Sequence, residues 1–243
     1  MRAASDPNSD VLGGQSSVVL SAMNLFSDPK AVGRYAENPP RMVPGYADMQ
    51  RMAMLLIKER APAHAQVLVL GAGGGLELKV FAERQLGWSF VGVDPAAAML
   101  DLARMILGDL AGRTRFHEGF IDSAPEGPFD GATCILTLHF IKRQERLRTL
   151  QEVRRRLKPD APFVAAHYSI PRGEVDLWLS RNAAFATTSG IDVSKAEAAR
   201  AEIAERLPIL SPEDDEELLR EAGFSGISLF YVGFAFRGWV AYA

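Results

Sequence analysis

The sequence predicts an α/β fold built on a mostly parallel sheet, and three observations carry that prediction. The apolar run Val67-Leu68-Val69-Leu70 leads into Gly71-Ala72-Gly73-Gly74-Gly75 and then a helix start. A second apolar run ends in Val91-Gly92-Val93-Asp94. Strand-like and helix-like segments then keep alternating as far as His167, as right-handed crossovers between parallel strands require. The first two observations describe a nucleotide-binding βαβ unit: the glycines let the backbone approach a ligand where a Cβ would block it, and Asp94 stands where it would meet ribose hydroxyls.

The elements follow in order. Residues 45–60 carry Met49, Met52, Ala53, Leu56 and Ile57 at helical spacing, which predicts an amphipathic helix before the first strand. After strand one, 76–85 reads as a helix, 88–93 as strand two, and 95–106 as a helix with Pro95 at its opening. Residues 113–118 form a third strand and 130–136 a fourth, apolar on both faces as a central parallel strand should be. A charged helix over 143–157 aligns Leu147, Leu150, Val153 and Leu157, and strand five occupies 162–167. Residues 172–207 contain two helical segments with no strand between them, an insertion over the site in which Trp178 and Phe185 mark the inner face of a lid helix. Ser211-Pro212-Glu213-Asp214 opens a further helix with Ser211 as N-cap, which stops at Gly223. Segments 227–232 and 234–242 around Gly233 predict an antiparallel hairpin at the sheet edge.

At 243 residues and 48% hydrophobic content, the chain buries one substantial core. Residues 1–17 are polar and lack the charged start and apolar block of a signal peptide, so they are expected to form a flexible tail. Residues 18–243 are expected to make a single domain, with helical lid elements at 30–60 and 172–207. The formal charge of −3 gives no global positive field for a nucleic acid. The basic run Lys142, Arg143, Arg146, Arg148, Arg154, Arg155, Arg156 and Lys158 alternates with Glu145 and Glu152, the pattern of a solvated helix face. No stretch reaches the roughly 20 apolar residues needed to span a bilayer, and the single Cys134 suits a reducing cytoplasm, where the protein is expected to reside. One cysteine and four scattered histidines give no metal-ligand spacing, so no metal is expected.

The glycine spacing narrows the ligand. A dinucleotide fingerprint, G-x-G-x-x-G, would place its third glycine at Leu76; here the glycines fall as G-x-G-G-G from Gly71 to Gly75. That motif alone leaves a plain turn or an NAD site open. Taken with Asp94, the five strands, the helix ending in Ala222-Gly223-Phe224 and the closing hairpin, it resembles the class I S-adenosylmethionine (SAM) dependent methyltransferases over residues 45–243. The resemblance implies a Rossmann-like, seven-stranded, mostly parallel sheet with an antiparallel C-terminal hairpin and a helical lid, and SAM as cofactor. It implies that Gly71, Ala72 and Gly73 lie against the methionine part of SAM, that Asp94 binds the ribose with Pro95 beside it, and that Met99 sits near the adenine. Phe120 stands where the family usually has an acid for the adenine amino group, which leaves that hydrogen bond to backbone groups such as those of Ile121. Leu136, at the end of strand four, joins the cofactor set. Val69 replaces the family's usual Asp or Glu two residues before Gly71, removing an acceptor for the SAM amino group.

Met42-Val43-Pro44-Gly45-Tyr46 and Thr137-Leu138-His139-Phe140 are similar to segments of the bacterial carboxy-SAM synthases of tRNA modification and their methyltransferase relatives. This implies a cofactor contact for Tyr46. A gap-free count back from Ala222-Gly223-Phe224 brings Arg200 to the arginine that holds the extra carboxylate, whereas Ile135 stands where the synthases have asparagine. His139, just after strand four, is the candidate base. His167, Tyr168, Arg200 and Arg237 are candidates for the acceptor pocket. The expected activity is methyl transfer from SAM to a small-molecule acceptor. A carboxy-SAM synthase-like activity and a non-catalytic SAM-binding role are the alternatives. Neither the acceptor nor the oligomeric state is legible from spacing.

Overall fold

A computed structural model describes residues 35–243; the expected tail, 1–17, and positions 30–34 of the first lid element lie outside the described residues. A short helix, α1 (Asn38–Met42), precedes α2 (Tyr46–Lys58). The Rossmann-like half runs β1 (Gln66–Leu70), α3 (Leu76–Arg84), β2 (Ser89–Asp94), α4 (Ala97–Leu107), β3 (Thr114–Glu118), β4 (Gly131–Ile135), α5 (Arg143–Arg155) and β5 (Pro162–Tyr168). The paired helices α6 (Val175–Thr188) and α7 (Val193–Arg206) follow, then α8 (Pro212–Glu221) and the hairpin β6 (Ser225–Gly233) and β7 (Phe236–Tyr242).

The seven strands form one sheet in the order β3-β2-β1-β4-β5-β7-β6. β1 to β5 run parallel, while β7 inserts antiparallel between β5 and β6, leaving β6 at the edge. Strand periodicity sorts the core into two layers. Val67 and Val69 face one side with α2, α3 and Leu179 of α6; Leu68 and Leu70 face the other with Leu150 and Val153 of α5 and Leu218 and Leu219 of α8. Because strand order reverses between β1 and β4, the carboxyl ends of those strands open the crevice in which sheets of this type bind ligands.

Three expectations need correction. Pro95 does not open a helix: α4 starts at Ala97, because the Asp94 side chain accepts from the Ala96 N–H at 2.9 Å and holds 94–96 as a turn. The basic run is not wholly solvated, since the side chains of Arg146 and Arg156 are fully buried. The fully buried face of α6 is Leu179, Asn182, Ala183 and Ala186, so Leu179 and Ala183 carry the inner face, while Trp178 packs against the same core only partly buried and Phe185 is half-buried. Trp178 is half-buried and donates its indole N–H to Glu174 at 2.7 Å. By contrast, Ser211 is the N-cap of α8 as expected, and the structure adds that it closes a reciprocal capping box with Asp214.

Candidate active site

The glycine turn after β1 is fixed by backbone bonds to the next strand. The N–H groups of Gly71 and Ala72 both donate to Val93 O, at 2.8 and 3.0 Å, and Gly74 N–H donates to Met99 O. Gly73 N–H donates to Asp94 Oδ2 at 3.0 Å. Two of these glycines are obligatory. Gly71 has φ +75° and a Cβ there would overlap the Thr137 side chain; at Gly73 a Cβ would lie 2.7 Å from Asp94 Oδ2 and 3.0 Å from Met99 Cε. The turn is therefore a cradle whose floor is bare backbone, with Asp94 and the buried Met99 beside it.

Asp94 is half-buried at the end of β2, with one carboxylate oxygen on Gly73 N–H and the other on Ala96 N–H. Burial pushes its carboxyl up to about 6, against the pull of those two donors. Pro95 is half-buried in the following turn. Beyond β3, Phe120 is half-buried and Ile121 buried at the opening of a 3-10 turn. The guanidinium of Arg156 anchors that turn from behind, donating to the carbonyls of Asp122, Ala124 and Pro125. Leu136 closes β4 with φ +57°, a left-handed conformation costly for a branched-chain residue, and its N–H donates to Ala166 O at 2.7 Å.

Two groups at this edge were not singled out from the sequence. Glu77, in the first turn of α3, is 7% exposed and accepts a hydrogen bond from the Thr133 hydroxyl on β4. Burial pushes its carboxyl up to about 8, with the Thr133 hydroxyl opposing. Tyr35 lies against Gly74, close enough that a Cβ on that glycine would meet its ring at 2.6 Å. Tyr46, the first residue of α2, is buried, and its hydroxyl is held well above its ordinary pKa by burial and then by Tyr35 and Glu77.

A cavity of about 470 Å³ lies between α1, α6 and α7, with Tyr168 at the end of β5. Met42, Leu179, Ala183, Ile191, Ala199 and Ile203 give it apolar walls, and Arg41, Lys195 and Arg200 are charged lining residues. Arg200 does line this cavity, but its guanidinium already bonds Glu197 at 2.8 Å and lies 3.7 Å from Asp176.

The other candidates sit differently. His167 alternates away from Tyr168 on β5 and packs on the opposite sheet face, its Nε2 3.2 Å from Asp215 Oδ1. Arg146 reaches the same carboxylate at 2.6 Å. Burial alone would raise Asp215, yet His167 and Arg146 hold it below the usual carboxylate range. His167 is thus part of a buried charge cluster and does not line the cavity. Arg237 of β7 donates to Ser169 O and does not line the cavity either. His139 is buried in a 3-10 turn after β4, beside Tyr168 at 5.1 Å between ring centroids. Its Nδ1 accepts the Tyr168 N–H at 3.4 Å, and burial, reinforced by His167 and Arg146, drives its pKa well below 6.5. The enclosed ring, engaged at Nδ1, gives the expected role of His139 as general base no support from its geometry.

Residues 67–160 match the family model described as a methyltransferase domain. The chain is 28% identical over 124 residues to the carboxy-S-adenosyl-L-methionine synthase of Campylobacter lari, covering 51% of this chain and 53% of that protein. It therefore spans about half the length of that relative. A second synthase, from Chromohalobacter salexigens, is 25% identical over 225 residues, covering 90% of this chain and 83% of the other. Among solved structures, human N-acetylserotonin methyltransferase in complex with SAM superimposes with a TM-score of 0.64 at 12% identity, over 91% of this chain and 58% of that one.

Proposed function

We propose, from the premise that this chain carries a class I SAM-dependent methyltransferase domain, that it transfers a methyl group from SAM to a small-molecule acceptor held between α1, α6 and α7. The observation that carries the proposal is the pairing of a glycine turn with a cavity. The turn, braced by Asp94, stands at the carboxyl edge of the sheet, and a cavity of about 470 Å³, none of whose lining residues belongs to the turn, lies between α1, α6 and α7. A cavity of that size suits a small organic molecule.

The residues present fit SAM. Backbone at Gly71, Ala72 and Gly73 offers a surface without side chains to the methionine part, and Asp94 offers acceptor oxygens to the ribose hydroxyls. Pro95 and Met99 would flank the ribose and adenine, Phe120 and the backbone of Ile121 would meet the adenine, and Tyr46 and Leu136 would stand at the methionine end. When bound, SAM supplies a methyl group on a sulfonium, an electrophile that needs only a nucleophile in line. The chain's task is thus to position the acceptor and exclude water. His139 is enclosed with its Nδ1 engaged by backbone, which favours an acceptor that is nucleophilic without a protein base, or that loses its proton to solvent.

Similarity to the two carboxy-SAM synthases, together with the location of Arg200 on the cavity wall, favours one second reading, a synthase-like activity. The existing partners of Arg200 and the apolar Ile135 weigh against it. Filling the cavity tests the main reading. Ala199→Phe is expected to abolish product formation while leaving SAM affinity within about twofold, measured by titration calorimetry beside a turnover assay for S-adenosylhomocysteine. Equal loss of both would mean that the cavity is not a separate acceptor site.

A further inference from the structure

We propose that Glu77 is the anionic group that receives the α-ammonium of SAM, reaching its place from helix α3 rather than from the end of β1. The inference rests on the SAM reading above and assigns one end of that site.

The register of the sheet locates the carboxylate. Val69 on β1 and Thr133 on β4 are direct partners, so their side chains share a sheet face. Glu77 Oε1 accepts from the Thr133 hydroxyl, so the carboxylate lies over the same patch of sheet onto which a side chain from position 69 projects. That patch adjoins the Gly71 turn, two residues further along the chain. Position 69 itself is an apolar valine with no exposed surface. Position 69 thus supplies no charge, and the carboxylate at this place comes from the neighbouring helix.

Among the described residues nothing else accounts for an acid here: Glu77 forms no ion pair, the titratable groups on its side of the sheet, Tyr35 and Tyr46, are neutral acids, and the neutral Cys134 thiol lies on the opposite face. An enclosed carboxyl with a single hydroxyl donor is costly to retain unless a cation completes it. An ammonium offers three N–H donors to a carboxylate, whereas a sulfonium offers none. The methionine amino group is therefore the cation of SAM that fits.

The test is a titration of the 243-residue chain and of its Glu77→Gln variant with three ligands. SAM has both ammonium and sulfonium, S-adenosylhomocysteine has the ammonium only, and 5′-methylthioadenosine has neither. Glutamine keeps an oxygen for Thr133 but removes the charge. The variant is expected to bind SAM and S-adenosylhomocysteine about 10- to 100-fold more weakly and 5′-methylthioadenosine within about twofold of wild type. Loss confined to SAM, loss shared by all three ligands, or no loss at all would each overturn the assignment. A second measurement needs no variant. SAM binding at pH 7 should release most of one proton, read from calorimetry in buffers of different ionisation heat, because the ammonium forces Glu77 to ionise. Asp94 contributes only about a tenth of a proton at that pH. Release of a tenth or less would overturn the assignment. Wild-type protein that binds none of the three ligands would remove the SAM reading itself, whereas wild type that binds SAM while Glu77→Gln binds it equally well would remove only the role of Glu77.

Discussion

Asp94 and Glu77 are two acids in one crevice with different work. Asp94 places each oxygen on a backbone N–H group that shapes the glycine turn, so Asp94→Ala should loosen the turn as well as remove the proposed ribose acceptor. A loss of about 10- to 100-fold in SAM affinity is expected by titration. Gly73→Ala should act in the same direction, because its new methyl group would press on Asp94 Oδ2 and Met99 Cε. Both acids bind protons more tightly folded than unfolded: Glu77 goes from 4.5 to about 8 and Asp94 from 3.8 to about 6. Their linkage is therefore opposite to that of a salt-bridged acid. The stability of the ligand-free protein is fullest below pH 4, as far as these two groups go, and falls as pH rises to 6 through Asp94 and on to 8 through Glu77. The Glu77 contribution is at most about 5 kcal/mol. Urea denaturation across pH 5 to 9 checks this: the fall between 6 and 8 should flatten in Glu77→Gln, and an unchanged slope there would mean that Glu77 is not the titrating group.

At the scale of elements, the alternation of apolar runs, the Gly71 turn and the N-cap of α8 carry enough local signal to be read from the chain. The strands and helices lie within one or two residues of where spacing puts them. The side chains that the sequence conceals are those whose environment is set by distant strands. Glu77 sits between Leu76 and Leu78 and reads as a solvated acid favoured by a helix start, yet its burial is decided by Thr133, 56 residues away. His167 and Tyr168 are neighbours in sequence and were read as one site, but the period of a strand sends them to opposite faces. The short helix α1 and the partner of Arg200 within its own helix carried no distinct pattern. The capping box gives a local test: Ser211→Ala should cost about 1 kcal/mol of stability by thermal denaturation without changing SAM affinity.

Across the whole molecule, one sheet separates the work of binding from the work of support. The face that carries Val69, Thr133 and Tyr168 meets the glycine turn, Glu77 and the helical insertion. The other face holds a buried charge cluster in which Arg146 joins α5 to Asp215 of α8 and to the carbonyls of Ile141 and Pro208. Removing one partner there leaves a charge stranded in the core, so Arg146→Met should destabilise the fold by about 3–5 kcal/mol, and the double variant Arg146→Met with Asp215→Leu should recover much of that. Denaturant titration of the two variants separates these outcomes. The central claim, methyl transfer to a small acceptor, is tested most directly by incubating the 243-residue chain with SAM bearing a deuterated methyl group and a cell filtrate freed of protein and nucleic acid. Mass spectrometry should then find S-adenosylhomocysteine and a labelled small molecule, both lost in Asp94→Ala; carboxy-SAM as the product, or SAM bound and returned unchanged, would contradict the account.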